Sequence, residues 1–278
     1  MRKGLQCKLA KPRILVSNDD GPSSPGVQAL VSSLASFADV YPVIPETPRS
    51  GTSMSLTFHK PLRIREVSVS GRKGYLVSGN PADSVMMALN RILEERPDAM
   101  ASGINIGDNT GLQDVFASGT VQAAIQAAFA GIPSVAFSMQ IQESAIFSPA
   151  EAKGNFKTAA EFASKIMQWV IENGLPDGVD LLNVNFPLAI AKDTKIVIAR
   201  LAKKKYQNYV EQRLDPRGRP YYWVWGKRME SYEDGTDAKA VLEQGYISIT
   251  PLKVDLTATN HNLSPLVEFL SSWQRLTE

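Results

Sequence analysis

Short apolar runs alternate with amphipathic stretches through the first half of the chain. The apolar runs at 14–17, 40–44, 99–102 and 132–137 have the length and content of buried strands. Helical patterns over about 25–36, 81–93 and 118–130 each begin at a residue that suits a helix start, such as Ser24-Pro25, Asn80-Pro81 or Ser118. This alternation predicts an α/β fold with a mostly parallel, doubly wound sheet.

The remaining segments depart from this alternation, most clearly after about residue 150. The segments 62–67 and 74–77 predict a hairpin that turns at Ser70-Gly71. A helix over 156–173 is followed by strands near 181–184, 195–199 and 245–250, and by a terminal helix over 262–276. Residues 200–235 are basic and aromatic with a turn at 217–220, and residues 103–117 are predicted to be a glycine-rich loop.

Three polar loops follow apolar strands of the predicted sheet. The first loop carries Asp19 and Asp20, the second carries Ser50, and the third carries Asn105 and Asn109. Since the carboxyl ends of parallel strands lie at one edge of a sheet, we expect the three loops to open together there.

The oxygen ligands in these loops suggest a metal site. Two adjacent carboxylates cannot be buried without a partner, and a hard divalent cation is a natural one. Asp19, Asp20, Ser50 and Asn105 offer oxygens only, which suits magnesium, manganese or calcium better than zinc. The alternative is that Asp19 caps a turn and that Asp20-Gly21 is an ordinary loop.

The predicted helix that begins at Ser118-Gly119-Thr120 is a candidate anion site. Free N–H groups and the dipole of a helix start attract phosphate, and both hydroxyls add donors. The alternative is a serine that caps its helix and binds no ligand. A metal beside an anion-binding helix start would suffice for phosphoryl hydrolysis, because the metal polarises a phosphoryl oxygen and lowers the pKa of a bound water.

Several other chemistries are disfavoured by the sequence. The chain has only two histidines, His59 and His261, and it contains neither a P-loop motif nor a G-x-S-x-G elbow. No G-x-G-x-x-G follows the first strand. Phosphatases with a strand-D-x-D-G motif use the first aspartate as nucleophile, and Asn18 stands at that position; attack by Asp19 stays open.

Composition adds limits on location and partners. The net charge is +2, and five basic residues lie in the first thirteen, so the rest of the chain is slightly acidic. A nucleic-acid or lipid-binding surface is therefore not indicated. Residues 1–12 have no apolar h-region, the longest apolar runs are too short for a membrane span, and Cys7 has no partner for an internal disulfide. We expect a cytoplasmic protein.

The run Tyr221–Trp225 alternates like a strand, with Tyr221, Trp223 and Trp225 on one face. Such a face could stack a nucleobase. We favour a hairpin that packs against the core or against a second subunit, because aromatic residues dominate such contacts.

Taken together, the motifs resemble those of the SurE family of survival-protein nucleotidases, in order and spacing, from Pro12 onward. The motifs are Val16-Ser17-Asn18-Asp19-Asp20-Gly21, Pro25-Gly26, Arg49-Ser50-Gly51, Ser78-Gly79-Asn80-Pro81-Ala82-Asp83, Ser102-Gly103-Ile104-Asn105-Ile106-Gly107-Asp108-Asn109, Ser118-Gly119-Thr120-Val121, Val184-Asn185-Phe186-Pro187 and Thr250-Pro251-Leu252.

The resemblance implies a metal-dependent phosphomonoesterase that acts on nucleoside 5′- or 3′-monophosphates through metal-activated water. It implies that one divalent ion per subunit, Mg²⁺ or Mn²⁺, is held by Asp19, Asp20, Ser50 and Asn105, and that Asn109, Ser118, Gly119 and Thr120 line the phosphate site. The general base stays open between Asp19, Asp20 and metal-bound hydroxide. Ala117 stands where the family often has an aromatic residue, so the preferred base is also open.

The resemblance further implies a Rossmann-like domain over 13–278 behind a basic leader, 1–12. The core would span about 13–200 and 237–258. A C-terminal extension, about 201–236 together with the helix 262–277, would be exchanged between subunits of a homodimer or homotetramer. Two other hypotheses stay open: a non-catalytic nucleotide or anion sensor on the same fold, and an interaction protein that assembles through its aromatic C-terminal half.

Overall fold

The computed structural model describes residues 11–142, 154–259 and 262–276. The strands are β1 Arg13–Ser17, β2 Asp39–Pro45, β3 Ile64–Val69, β4 Arg72–Val77, β5 Ala99–Ile106, β6 Ser134–Met139, β7 Leu181–Phe186, β8 Ile196–Ile198, β9 Tyr206–Leu214, β10 Pro220–Arg228 and β11 Ile247–Leu252. The helices are α1 Pro25–Leu34, α2 Pro81–Met87, α3 Gly111–Ala117, α4 Gly119–Phe129, α5 Phe156–Asn173 and α6 Ser264–Leu276, with π-helical turns at Ala88–Ile92 and Lys239–Glu243.

The main sheet has the strand order β3-β4-β2-β1-β5-β6-β7-β11-β8. Six neighbouring pairs in it are parallel, and the β3–β4 and β7–β11 pairs are antiparallel. The predicted mostly parallel sheet is therefore confirmed. The chain runs outward from β1 through β2 to β4 and then returns to place β5 on the other side of β1. This reversal creates a switch point between β1 and β5, where ligands bind in open α/β sheets.

Helices cover both faces of this sheet. On one face α1 and α5 pack against Ile14 and Val16 of β1, and on the other α2 and α4 pack against Leu15. This alternation is the two-residue period of a strand whose two faces are both buried. Because both faces of the central strands are buried, only the ends of these strands can present polar side chains to a ligand.

Helix α1 lies close to β5 because residue 26 has no side chain. A Cβ atom on Gly26 would lie 1.9 Å from the carbonyl oxygen of Ile104. The Pro25-Gly26 motif thus combines a proline that opens the helix with a glycine that lets the helix contact the end of β5.

The helix starts follow the expected capping chemistry with one exception. Ser118 caps α4 by accepting a hydrogen bond from the Val121 N–H, and the Asp83 carboxylate accepts one from the Asn80 N–H at the start of α2. Ser24 occupies the cap position of α1, but its buried hydroxyl makes no capping hydrogen bond. Pro25 lacks an N–H in any case, so α1 needs less capping.

The predicted loop over 103–117 is wrong in two places. Strand β5 continues to Ile106 through an irregularity between Ser102 and Asn105, and Asn105 again pairs with Ser138 of β6. Gly111–Ala117 then forms α3. The glycines that suggested a loop serve a bulged strand end and a tight entry into a helix, both of which depend on positive φ angles at Gly103 and Gly111.

Strands β9 and β10 form a separate antiparallel hairpin. We expected the aromatic run to pack against either the core or a second subunit. The first of these predictions is wrong, because Tyr221, Tyr222 and Trp223 are 41–58% exposed. Helix α6 also exposes its apolar residues, among them Leu266, Val267, Phe269 and Leu270. In the part of the chain that the structure describes, no helix is long and apolar enough to cross a membrane.

Candidate metal and phosphate site

The three predicted loops meet in one cavity of about 340 Å³ at the β1–β5 switch point. Its wall includes Asp19, Asp20, Ser50, Asn105, Asn109 and Ser118, together with Gly51, Ile106, Gly107, Asp108, Asp114, Ala117, Ile141, Tyr206 and Arg228. The loops therefore open together at the sheet edge, as expected from the strand order. Gly119 and Thr120 are buried at the start of α4, next to Asp19.

Asp19 is 3% exposed and lies at the start of α4. Its Oδ1 accepts a 2.5 Å hydrogen bond from the Thr120 hydroxyl. A Cβ atom on Gly119 would lie 2.8 Å from the Asp19 Cβ, so glycine is required there to admit the carboxylate. Burial raises the pKa of Asp19, although the hydrogen bond from Thr120 acts in the opposite direction.

The side chain of Asp20, which follows β1 in the chain, is held by the last residue of β5. Its Oδ2 accepts a 3.0 Å hydrogen bond from the Ile106 N–H. Burial, followed by the charge of Asp19, raises the pKa of Asp20 to about 7, and the Ile106 hydrogen bond only partly offsets this. The two carboxylates thus destabilise each other in their ionised forms.

The other two predicted ligands present oxygens to the same cavity. The Asn105 Nδ2 donates to the Gly107 carbonyl at 2.8 Å, and its Oδ1 lies 3.4 Å from the Thr120 hydroxyl, on the side of Asp19. Ser50 is exposed at the cavity wall. The Arg49 N–H donates to the Asp19 carbonyl at 2.7 Å, which ties the Ser50 loop to the end of β1.

These residues fit a hard divalent cation. The donor set consists of two carboxylates, an amide oxygen and a hydroxyl, and within the described ranges no lysine or arginine forms an ion pair with Asp19 or Asp20. Those ranges contain no group of three or more His, Cys, Asp or Glu that could hold a metal. An ion here would therefore depend on neutral oxygens and water for its remaining ligands, an arrangement that magnesium favours.

Asn109 is positioned by the asparagines of β7. Its N–H donates to Asn185 Oδ1 at 2.7 Å, and its carbonyl accepts from Asn183 Nδ2 at 2.9 Å. Its own amide Nδ2 donates to Ser138 Oγ at 2.8 Å, which leaves the second hydrogen of that nitrogen for a ligand.

That Asn183 and Asn185 hold the backbone of Asn109 was not predicted from the sequence. Both stand on one face of Leu181–Phe186, a strand that is buried throughout. Buried polar side chains need partners, so two asparagines spaced by two residues in an apolar strand were the available signal.

Ser118 has two hydrogen-bonding capacities. Its oxygen accepts from the Val121 N–H at 3.2 Å, and its hydroxyl hydrogen can still be donated to a ligand in the cavity. The predicted alternatives of helix cap and anion donor are therefore compatible. The hydroxyl of Thr120, by contrast, is directed at Asp19.

A buried ion cluster borders this cavity. Lys205 is fully buried and its ammonium contacts the carboxylates of Asp108 and Asp114, while Arg228 lies 3.6 Å from Asp108. Burial alone would lower the pKa of Lys205, but the two carboxylates outweigh it and raise the pKa. Burial would raise the pKa of Asp108, but Lys205 keeps it below its ordinary value; burial raises the pKa of Asp114 to about 6.

The fold and the cavity define a class: a doubly wound α/β protein with an oxygen-rich ligand site at its switch point. The family model described as "Survival protein SurE" matches residues 14–208. The chain belongs to the SurE family.

Relatives cover most of the chain. Proteins named 5′-nucleotidase SurE from Methanothrix thermoacetophila and Archaeoglobus fulgidus are each 44% identical to it, over 249 and 247 residues. The alignments cover 88% and 89% of this chain and 94% and 93% of those proteins. The crystal structure of the Aquifex aeolicus SurE protein matches with a TM-score of 0.77 and 36% identity, over 94% of this chain and 100% of that one.

Proposed function

We propose that this chain is a metal-dependent phosphomonoesterase that hydrolyses nucleoside 5′-monophosphates to nucleoside and phosphate. The observation that carries the proposal is that an all-oxygen carboxylate site and a serine-capped helix start line the same cavity. The names of the relatives support the same activity. Nucleoside 3′-monophosphates are a second substrate class to be tested.

Asp19, Asp20, Ser50 and Asn105 would hold one Mg²⁺ or Mn²⁺ ion. A bound ion of this kind supplies a water of lowered pKa and positive charge beside the phosphoryl oxygens. The charge matters because Asp19 and Asp20 border the cavity without an ion-pair partner among the described residues, whereas Asp108 and Asp114 are paired with Lys205. Without a cation near Asp19 and Asp20, a phosphate dianion would be repelled.

Asn109 and Ser118 would donate hydrogen bonds to the phosphoryl oxygens. Both are held by the fold before substrate arrives, Asn109 by β7 and Ser118 by the first turn of α4. Fixed donors of this kind stabilise charge that develops in the transition state. Gly119 and Thr120 would contribute through the helix start and by holding Asp19.

We also infer that the chain has a core of about 13–200 and 237–258 and an extension of about 201–236 with the helix 262–277. This extension would join the subunits of a homodimer or homotetramer. The exposed aromatic and aliphatic residues of β10 and α6 support this, because large exposed apolar surfaces mark interaction sites. Residues 1–10 of the predicted leader lie outside the described residues. We infer that the protein acts in the cytoplasm.

The proposed activity is tested by a phosphate-release screen. Nucleoside 5′- and 3′-monophosphates are each incubated with the protein in Mg²⁺ or Mn²⁺, with and without a chelator. We expect release from 5′-monophosphates that stops with chelator and returns when metal is restored. Binding of metal and nucleotide without release would instead support the non-catalytic sensor.

Metal affinity should depend on pH. A metal ion binds the ionised carboxylate, and protons compete for Asp20 below its pKa of about 7. Between pH 8 and pH 6 the Kd for Mn²⁺ should therefore rise about tenfold or more. Titration of Mn²⁺ by electron paramagnetic resonance measures this, and an unchanged Kd across that range would contradict the assignment of Asp20 as a ligand.

A further inference from the structure

Lys205 is fully buried, although it belongs to a run of three lysines. Its ammonium donates to Asp108 Oδ1 at 2.5 Å and also to the carboxylate of Asp114. Lys203 and Lys204, the preceding residues, are exposed. A lysine is rarely buried in this way unless it is paired, and an apolar residue of similar size would often stabilise a fold as well or better. The contacts of Lys205 therefore call for a reason other than stability.

The two carboxylates that Lys205 joins border the two proposed phosphate donors. Asp108 immediately precedes Asn109 in the chain. The carbonyl of Asp114 accepts a 2.7 Å hydrogen bond from the N–H of Ser118. The Lys205 ammonium thus connects Asp108, the neighbour of Asn109, with Asp114, whose carbonyl holds the Ser118 N–H.

Backbone contacts around Lys205 strengthen this connection. The side-chain oxygen of Gln113, in α3, accepts hydrogen bonds from the N–H groups of Lys205 at 2.8 Å and Tyr206 at 2.9 Å. The Leu112 N–H donates to the Ala202 carbonyl at 2.9 Å. The chain entering β9 is therefore attached to the 108–114 segment at residues 108, 112, 113 and 114.

We propose that Lys205 is a positioning residue that fixes Asn109 and Ser118 relative to each other by holding Asp108 and Asp114. This inference rests on the proposed function only in assigning the phosphate to Asn109 and Ser118. None of the hydrogen bonds or ion pairs of Lys205 to the described residues reaches a proposed metal ligand. Lys205 should therefore affect phosphate binding and not metal binding.

The test replaces Lys205 with methionine, which keeps the length of the side chain and removes its charge. The matched control is Lys204→Met, the same change at the exposed neighbour. Two dissociation constants are measured on folded protein by calorimetry or spin resonance: that of inorganic phosphate in the presence of Mg²⁺, and that of Mn²⁺ alone. We expect Lys205→Met to raise the phosphate Kd at least about tenfold, the effect of losing one charge-assisted hydrogen bond or more, and to change the Mn²⁺ Kd less than about twofold. Lys204→Met should change neither.

A phosphate Kd that stays at the wild-type value in folded Lys205→Met would overturn the proposal, and so would an equal loss of phosphate and metal binding, which indicates general damage. If Lys205→Met does not fold, the double variant Lys205→Met/Asp114→Asn takes its place, because it removes the ammonium together with one of its two carboxylates and leaves the net charge of the cluster unchanged. Its phosphate Kd should rise at least about threefold, because the link between Asp108 and α3 is lost without a change in charge, and no change would again overturn the proposal.

These readouts separate the two proposals. Both constants are equilibrium values that need no turnover. Wild-type protein that binds phosphate but hydrolyses no nucleotide would refute the proposed function and leave the Lys205 test intact. Wild-type protein that does not bind phosphate with Mg²⁺ present would refute both.

Discussion

Replacing Asp20 by asparagine is expected to lower metal-dependent phosphate release by about 10³-fold or more without lowering the stability of the metal-free protein. The proposed ion contributes several kcal/mol of transition-state stabilisation, and each 1.36 kcal/mol corresponds to a tenfold change in rate. Asparagine keeps an oxygen that can accept from the Ile106 N–H and loses only the charge.

The expected change in stability follows from the sign of the pKa shift. The pKa of Asp20 is raised to about 7 in the folded protein, well above the ordinary value of 3.8. The folded state therefore binds this proton more tightly than the unfolded state, and stability falls as the pH rises from about 4 to about 7. Asparagine has no charge to bury, so at pH 8 the metal-free variant should melt at a temperature equal to or above that of the wild type.

The experiment compares Asp20→Asn with Asp193→Asn, the same change at an exposed site that does not line the cavity. The rate of phosphate release is measured at saturating Mn²⁺, and the melting temperature is measured in chelator at pH 8. Asp193→Asn should match the wild type in both. Release by Asp20→Asn within tenfold of the wild-type rate would show that Asp20 is not essential to the metal site.

The convergence of the loops was predictable because it depends on strand direction alone. Asp19, Ser50 and Asn105 are far apart in the chain, but each lies at or beyond the carboxyl end of a parallel strand, and β2, β1 and β5 are adjacent. Short apolar runs were sufficient to identify those strands, and helix starts such as Ser118 identified the helices that connect them. The family motifs added the assignment of roles, which the pattern of apolar residues does not contain.

The segment 103–117 was mispredicted because its local signals favour a loop. Glycine and asparagine are typical of turns, and the sequence of α3, Gly111–Ala117, has no strong apolar period. In the structure, tertiary contacts decide the outcome: β6 continues to pair with β5 beyond the bulge, and Asp237 accepts a hydrogen bond from the Gly111 N–H at 2.8 Å. Such long-range contacts override weak local propensity.

The Lys205 cluster was beyond prediction for a related reason. Lys205 lies 97 residues from Asp108 and 91 residues from Asp114, and nothing in the run Lys203–Lys205 distinguishes the buried residue from its exposed neighbours. A run of lysines ordinarily indicates a solvated surface. Only the three-dimensional course of the chain into β9 brings this one beneath the cavity.

Replacing Thr120 by valine should reduce phosphate release about 100-fold, the usual upper effect of removing a group that orients a metal ligand. The Thr120 hydroxyl donates to Asp19 Oδ1 and lies 3.4 Å from Asn105 Oδ1, so it fixes the distance between two proposed ligands. Valine keeps nearly the same shape and removes the hydroxyl donor from a buried carboxylate, which costs about 1–3 kcal/mol of stability as well.

The serine variant separates the role of the hydroxyl from the role of packing. Thr120→Ser keeps the donor and removes a methyl group at a site that is fully buried. It should lose about 1 kcal/mol of stability and release phosphate within about threefold of the wild-type rate. The Mn²⁺ Kd of Thr120→Val should rise, since burial already raises the pKa of Asp19 and the lowering effect of this hydrogen bond would be gone. If both variants lose activity equally, the methyl group and not the hydroxyl is what matters, and Thr120 acts through the packing of α4 against β1 and not through the orientation of Asp19.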